Sequence, residues 1–391
     1  MVLATGRLNV VTGPNGSGKS SLYRALRLLA GSARNGAVAA LAREGGLESV
    51  MWAGSPDEGR SMRRGRGRPL VQGGDTRRLL LGFAGEEFGY AIDLGVPPPA
   101  TSMFGSDPEI KAESVWAGPV LRPAAVLADR GASGAVRVRA AGGGWYRPPG
   151  FLKPFDSMLS ETADPQRAPE LLLLRERIRS WRFYDHLRTD AQAPARTAQV
   201  GTRTPVLSHD GADLAAALQT IREIGDAGAL DEAVSRAFPG SRAEITALGG
   251  RFELALRQPG LLRPLRAAEL SDGTLRYLLW AAALLTPRPP EMLVLNEPET
   301  SLHPELIGPL ADLITAASAK TQIIVVTHAQ QLVTAFRDKS ARVLELVKQD
   351  GRTLLDGQGI LDEPAWHWPS RWHGPPARDG GPCREGQPER A

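Results

Sequence analysis

Residues Gly13-Pro14-Asn15-Gly16-Ser17-Gly18-Lys19-Ser20 match GxxxxGK[ST] at every fixed position, and Ser21 extends the hydroxyl run. This stretch constrains the chain more than any other feature. A short β-rich run, Arg7 to Thr12, precedes it. Ser20 to Ala30 follows, with Leu22, Leu26 and Leu29 at helical spacing. Strand, glycine loop and helix form the context in which the pattern carries chemistry. Glycines let the backbone curl so that successive N–H groups point inward at phosphate oxygens. The helix beginning beneath adds its positive dipole end. Lys19 is then placed to neutralise β and γ oxygens, and the Ser20 hydroxyl to ligate Mg²⁺. Gly13 to Ser21 therefore read as a nucleotide-binding loop with ATP and Mg²⁺ as expected ligands.

Such a loop needs a second strand that delivers polar groups beside the metal and the attacking water. Met292 to Leu295 are four apolar residues followed by Asn296-Glu297-Pro298, and ligands collect at the carboxyl ends of strands in open α/β sheets. Glu297 is predicted to orient or deprotonate the water. Asn296 is predicted to hold a metal-bound water without adding charge, which implies weaker metal affinity and slower turnover. Thr327-His328 ends the next apolar strand, IIVVTH, 31 residues after Glu297, the length of one helix plus one strand. That spacing makes His328 a candidate sensor of the γ-phosphate. Leu270-Ser271-Asp272-Gly273-Thr274 precedes an apolar helix, Thr274 to Leu285. It has a plain reading as a helix N-cap. It has a sharper one as an anion clamp, in which the Ser271 hydroxyl, the Gly273 amide and the helix dipole grip a γ-phosphate held by a second copy.

Composition supports a globular chain: 391 residues, 42% apolar and 23% charged, with one to three domains expected at this length. The single cysteine, Cys383, excludes internal disulfides and thiol-based metal sites. The longest strongly apolar stretch, Tyr277 to Leu285, falls far short of the roughly 20 residues of a spanning helix. The opening MVLATGRLNVVTG lacks the features of a signal peptide, so a cytoplasmic chain with no membrane partner is expected. Six lysines among 47 basic residues leave 41 arginines, and the net charge is +4. This balance permits a polyanion such as DNA without requiring one. Arg63 to Pro69 contains RGRP, which reads either as a minor-groove hook or as a solvated hairpin loop. Arg175, Arg177, Arg179 and Arg182 read either as a cationic face or as a solvated helix surface. Trp366 and Trp368 either stack on bases or staple the tail to the head.

Strand and helix patterns divide the chain into an ATPase core split between 1–45 and 251–345, with an antiparallel β lobe at 46–140. The lobe's strands are predicted in LESVMWAG, LLLGFAG, FGYAIDLG, EIKAESVWAG and GAVRVRA. Residues 141–250 form the insertion, a Gly/Pro-rich linker to 165 and then helices at 170–181 and 213–225. A strand returns at Arg251 to Leu256. Met292 to Leu295 and Gln322 to Thr327 flank a helix at Pro304 to Ala317, the α/β signature of parallel strands joined by a helix. Residues 346–373 form a C-terminal extension, and 374–391 have the composition of a disordered tail.

Together GPNGSGKSS, LSDGT, LVLNEPETSLHP and VVTHA resemble the ATP-binding-cassette ATPase head, most closely that of RecF/SMC-like bacterial ATPases, over roughly residues 7–345. The resemblance implies an α/β P-loop NTPase of ABC-ATPase head type, with an antiparallel β lobe and an inserted helical arm. It makes Gly13 to Ser21 the Walker A loop, Ser271 to Gly273 the signature, Asn296 and Glu297 the Walker B end, Thr300 to His303 the D-loop and His328 the switch. It further implies a head-to-head homodimer that sandwiches two ATPs, with work in DNA repair or recombination, or in phage defence beside a further protein partner. Ser271 lies 252 residues after Lys19, a separation that fits a RecF-type head better than a transporter subunit or a long SMC coiled coil. The chain departs from the family in three respects. Only twelve residues precede Gly13, Asn296 replaces the usual aspartate, and no glutamine is assigned to link the β lobe to Mg²⁺. The residues after the head carry no acidic metal cluster of a Toprim nuclease. The expected activity is ATP hydrolysis coupled to dimerisation. The alternatives are a nucleotide-gated binding module with little turnover and the sensor subunit of a defence system.

Overall fold

The computed structural model describes every residue except 35, 52–77, 99–102, 106, 141, 186, 350, 360–361, 363 and 370–391. The arginine-glycine loop with its RGRP, Cys383 and the tail lie outside the described residues. The chain forms two compact units. One comprises 1–30, 54–58 and 175–365, and the other 31–53, 59–174 and 366–391.

β1 (Leu8–Thr12) and α1 (Lys19–Ser32) open the chain. Then come α2 (Ala37–Arg43) and α3 (Leu47–Val50). Six strands of the second unit follow: β2 (Arg78–Ala84), β3 (Phe88–Gly95), β4 (Glu109–Ala117), β5 (Val126–Gly131), β6 (Val136–Arg139) and β7 (Trp145–Tyr146). They pair antiparallel in sequence order, so the lobe is a six-stranded meander. Glycines set its closest packing: a Cβ on Gly89 would lie 2.0 Å from Trp116, and one on Gly82 would lie 2.7 Å from Trp366. Trp366 meets Trp116 edge-on at 5.7 Å, so the tail tryptophan packs on this sheet.

Two sequence expectations change in this unit. LESV is a single helical turn, not a strand. Gly45 and Gly46 reverse the chain at φ 87° and 86°, and the Ser49 hydroxyl donates to the Gly45 carbonyl at 2.7 Å, which closes a turn instead of a ladder. The Gly/Pro-rich stretch expected as a linker is packed: it holds β7 and α4 (Met158–Glu161), whose Met158 and Leu159 are fully buried. Buried Glu113 explains this. It accepts from the Tyr90 hydroxyl (2.7 Å), the Met158 amide (2.8 Å) and the Ser157 hydroxyl, with the Arg130 guanidinium at 4.0 Å. Arg130 in turn donates to the carbonyls of Lys153 and Asp156. These bonds fasten 153–158 to the sheet and offset part of the cost of burying Arg130, whose Nε has no partner.

α5 (Pro169–Ser180) leads into the rest of the first unit. Its central sheet gathers β8 (Arg182–Tyr184), β13 (Met292–Asn296), β14 (Gln322–Val326), β15 (Arg342–Gln349) and β16 (Arg352–Leu355) around β1, in the order β16-β15-β1-β14-β13-β8. All neighbours are parallel except β15 and β16. β8 joins this sheet although it comes from the stretch read as inserted. β13 and β14 carry continuous apolar runs, Met292 to Leu295 and Ile323 to Val326, as a sheet covered on both faces requires, and buried Asn9 of β1 donates to the Gly6 and Ile323 carbonyls. A smaller sheet joins β9 (Gln199–Val200), β10 (Arg242–Leu248), β11 (Arg251–Arg257) and β12 (Leu265–Arg266). Helices α6 (Leu214–Ile224), α7 (Ala227–Ala237), α8 (Asp272–Leu284) and α9 (Ile307–Ser318) share one apolar core with β13 and β14; α10 (Gln330–Phe336) closes it. Among the described residues no helix is long and apolar enough to cross a membrane.

Candidate functional site

Strand register puts three loops at one edge of the central sheet. Val11 of β1 pairs with Val326 of β14, which pairs with Asn296 of β13. Adjacent strands lie about 4.8 Å apart, so the chain leaves these three strand ends within roughly 10 Å. The phosphate loop, His328 and Glu297 emerge there together.

The phosphate loop has the shape its glycines predict. Gly13, Gly16 and Gly18 adopt φ 142°, 78° and 106°, conformations costly for any residue with a Cβ. A Cβ on Gly13 would lie 2.2 Å from the Leu346 carbonyl, and one on Gly18 would lie 2.2 Å from Thr353 Oγ1. The β15–β16 hairpin thus backs the loop. Lys19 Nζ folds over the loop and donates to the Gly13 (2.6 Å) and Pro14 (3.0 Å) carbonyls. Ser17 Oγ is buried without a hydrogen-bond partner. Asn15, Gly16, Ser20 and Ser21 are exposed at the start of α1. A glycine-lined cradle with an ammonium over it and an unpaired hydroxyl inside fits a triphosphate.

At the end of β13, Glu297 carries φ 48°, a left-handed conformation rare for a side chain with a Cβ. Its N–H donates to the Val326 carbonyl at 2.8 Å, which holds the turn to β14. His328 Nδ1 lies 3.2 Å from Glu297 Oε1. Ser301 also has positive φ, 65°. The loop between them is pinned by the Trp280 indole, which donates to the Pro298 carbonyl at 2.9 Å. Buried Glu299 accepts from Thr327 Oγ1 at 2.5 Å, a tie between the β13 and β14 ends that the sequence reading missed. Its signal was available as a second acidic residue in NEPE.

The LSDGT segment forms the N-cap of α8. Ser271 Oγ accepts from the Thr274 amide at 3.2 Å and lies 2.9 Å from Thr274 Oγ1, with its side chain exposed. A Cβ on Gly273 would lie 2.9 Å from the Ser301 carbonyl, so the glycine lets α8 close onto the loop after Glu297. Ser271 and Lys19 make no hydrogen bond to each other; their polar contacts are local. A cleft of about 510 Å³ lies beside the cap, lined by Asp185, Arg188, Asp272, Arg276, Asn296 and Glu297 among others. Arg276 Nε is buried without a partner. Burial lowers the Arg276 pKa from its ordinary value, against the pull of Asp272, and the group stays cationic at neutral pH. Among the described residues no cluster of three or more His, Cys, Asp or Glu could hold a metal alone. The arginines of α5 are engaged: Arg179 bonds Glu176 at 3.1 Å, Arg175 lies 3.6 Å from the same carboxylate, and Arg177 lies 4.0 Å from Glu291.

The family model described as "AAA domain, putative AbiEii toxin, Type IV TA system" matches residues 8–94 and 143–334. That span contains the phosphate loop, LSDGT, Asn296-Glu297 and His328. No curated protein matches the chain. Solved structures similar to it include an Smc head bound to the C-winged helix domain of ScpA, 13% identical over 92% of this chain and 93% of that one, with a TM-score of 0.47. The SMC head domain from Thermotoga maritima is 15% identical over 92% and 93%, TM-score 0.39. An Smc head with an extended coiled coil bound to the C-terminal domain of ScpA, derived from Pyrococcus furiosus, is 13% identical over 90% and 90%, TM-score 0.44.

Proposed function

The chain belongs to this AAA-domain family, and on that premise we propose that it carries a P-loop ATPase head of SMC/ABC type and binds and hydrolyses ATP at a site shared between two copies. One observation carries the reading. The phosphate loop and the Glu297–His328 pair leave neighbouring parallel strands at one edge, while in the LSDGT cap of the same chain the Ser271 side chain is exposed and bonds only to Thr274. A clamp that faces solvent is available to a partner's phosphate.

Each residue then has a stated task. The backbone amides of Gly13 to Ser21 cradle the phosphates, and Lys19 exchanges its two carbonyl acceptors for phosphate oxygens. Ser20 and Asn296 would hold Mg²⁺, which neutralises developing charge on the β and γ oxygens. Among the described residues no carboxylate cluster stands ready for the ion, so phosphate and water would supply most of its ligands, as this small cation prefers. Glu297 accepts a proton from the attacking water. His328, protonated at Nδ1, donates to Glu297 Oε1 and keeps that carboxylate oriented. Ser271 and Gly273 of the partner copy donate to the γ-phosphate from above. The cycle is proposed to act in the cytoplasm on DNA of the repair or recombination kind, supported by 41 arginines and the net charge of +4. Asn296 favours a second reading, a nucleotide-gated module with little turnover, because an amide adds no charge at the metal.

Phosphate release separates these readings. Wild type should turn over ATP, Lys19→Ala should fall to background, and Glu297→Gln should lose about 100-fold or more in rate while still binding nucleotide. Equal rates in wild type and Lys19→Ala, with equal nucleotide affinity, would refute the assignment of the phosphate loop. Tight ATP binding with no release above the Lys19→Ala background would favour the gated module.

A further inference from the structure

Arg196 ends a short 3₁₀ turn, Pro194–Arg196, and is 7% exposed. Its guanidinium uses every donor it has. Nε donates to the carbonyls of Thr189 (2.9 Å) and Asp190 (3.0 Å). Nη1 donates to those of Leu270 (2.7 Å) and Ala267 (3.1 Å), with Ala268 at 3.4 Å. Nη2 donates to the Thr189 carbonyl (2.8 Å) and to Asp272 Oδ1 (2.6 Å). One planar fork therefore joins the 189–190 segment to the 3₁₀ turn Ala267–Glu269 and the start of α8. Thr189, Asp190 and Asp272 line the same cleft as Asn296 and Glu297.

We propose that Arg196 is the positioning residue of the LSDGT clamp. It grips the backbone at Leu270 and the side chain of Asp272, the two residues flanking Ser271, and so aims the Ser271 hydroxyl and the Gly273 amide. The exposed Ser271 has only Thr274 as a side-chain partner, so its direction depends on what fixes the chain on either side. Clamps that grip phosphate act through donors held in place before the ligand arrives. The fork matters more than the charge. Five planar N–H groups reach carbonyls on two segments at once, whereas a lysine ammonium has three donors at one point. Arg196 touches no substrate in this scheme, and it acts through Ser271 and Gly273. The inference rests on the proposal that LSDGT serves a partner's ATP.

The test uses the full chain as Glu297→Gln, alone and with Arg196→Lys or Arg196→Ala. Three quantities are measured: affinity for a fluorescent ATP analogue, amide hydrogen exchange over 272–276 without nucleotide, and ATP-dependent association by analytical ultracentrifugation. Arg196→Lys should keep nucleotide affinity within about twofold, exchange the 272–276 amides about 10-fold faster or more, and weaken association by about 10-fold or more. Lysine keeps the charge, so a loss with Arg196→Lys reports the lost fork even where Arg196→Ala fails to fold. Unchanged exchange, or faster exchange with association within about twofold of the parent, would overturn the proposal and leave Arg196 a purely structural residue. If the Glu297→Gln parent itself stays monomeric with ATP, the shared-site reading fails, and a clamp role for Arg196 falls with it.

Discussion

Glu297 stands at φ 48° and Ser301 at 65°, both in the left-handed region that side chains with a Cβ avoid. Each costs on the order of 1 kcal/mol and persists only where surrounding bonds over-determine it. Here the Val326 carbonyl and the Trp280 indole supply those bonds. Beside Glu297, Asn296 puts a neutral amide where a carboxylate would neutralise a divalent ion. Asn296→Asp should raise turnover about 10-fold and lower the Mg²⁺ concentration for half-maximal rate, because restored charge strengthens metal binding. A Mg²⁺ titration of the rate checks this, and an unchanged curve would remove Asn296 from the metal site. The phosphate loop, Glu297 and His328 were legible because each follows a short apolar strand at a spacing that the fold imposes. Arg196 was not legible. Its acceptors lie up to 76 residues away, and nothing in its neighbourhood distinguishes it from the 40 other arginines.

At the scale of elements, α8 links the loop after Glu297 to the LSDGT cap. Ser271 caps it, its first turn carries Gly273, and its middle carries Trp280, buried with its ring edge-on to Tyr184 at 6.2 Å. Trp280→Phe keeps an aromatic ring but strands the Pro298 carbonyl in a buried site. It should cost about 1–3 kcal/mol of stability. Urea unfolding measures that loss, and an unchanged midpoint would mean the loop after Glu297 is held by other bonds. Long periodic helices and the alternating or continuous apolar strands were readable from sequence, since burial dictates their pattern. β5 was missed because Asp129 and Arg130 interrupt its apolar run; Asp129 is buried against Arg137, and Arg130 by donating to the Lys153 and Asp156 carbonyls. Gly45-Gly46 misled in the opposite sense, since a pair of positive-φ glycines starts a helical turn where LESV suggested a strand.

At the scale of the molecule, no single copy completes the proposed site. The loop proposed to hold the triphosphate and the cap proposed to close it lie on one chain without bonding each other, and the proposed function takes the second half from a twin. The family match spans both halves, and the exposed cap supports the head-to-head arrangement. The most direct measurement is the mass in solution of the Glu297→Gln chain, by light scattering after size exclusion, with Mg²⁺ and saturating ATP. The account predicts a shift from 41.9 kDa to twice that mass with ATP, reversed by adding Lys19→Ala or by substituting Ser271→Arg. A single-chain mass at every ATP concentration, with nucleotide shown to be bound, would contradict it.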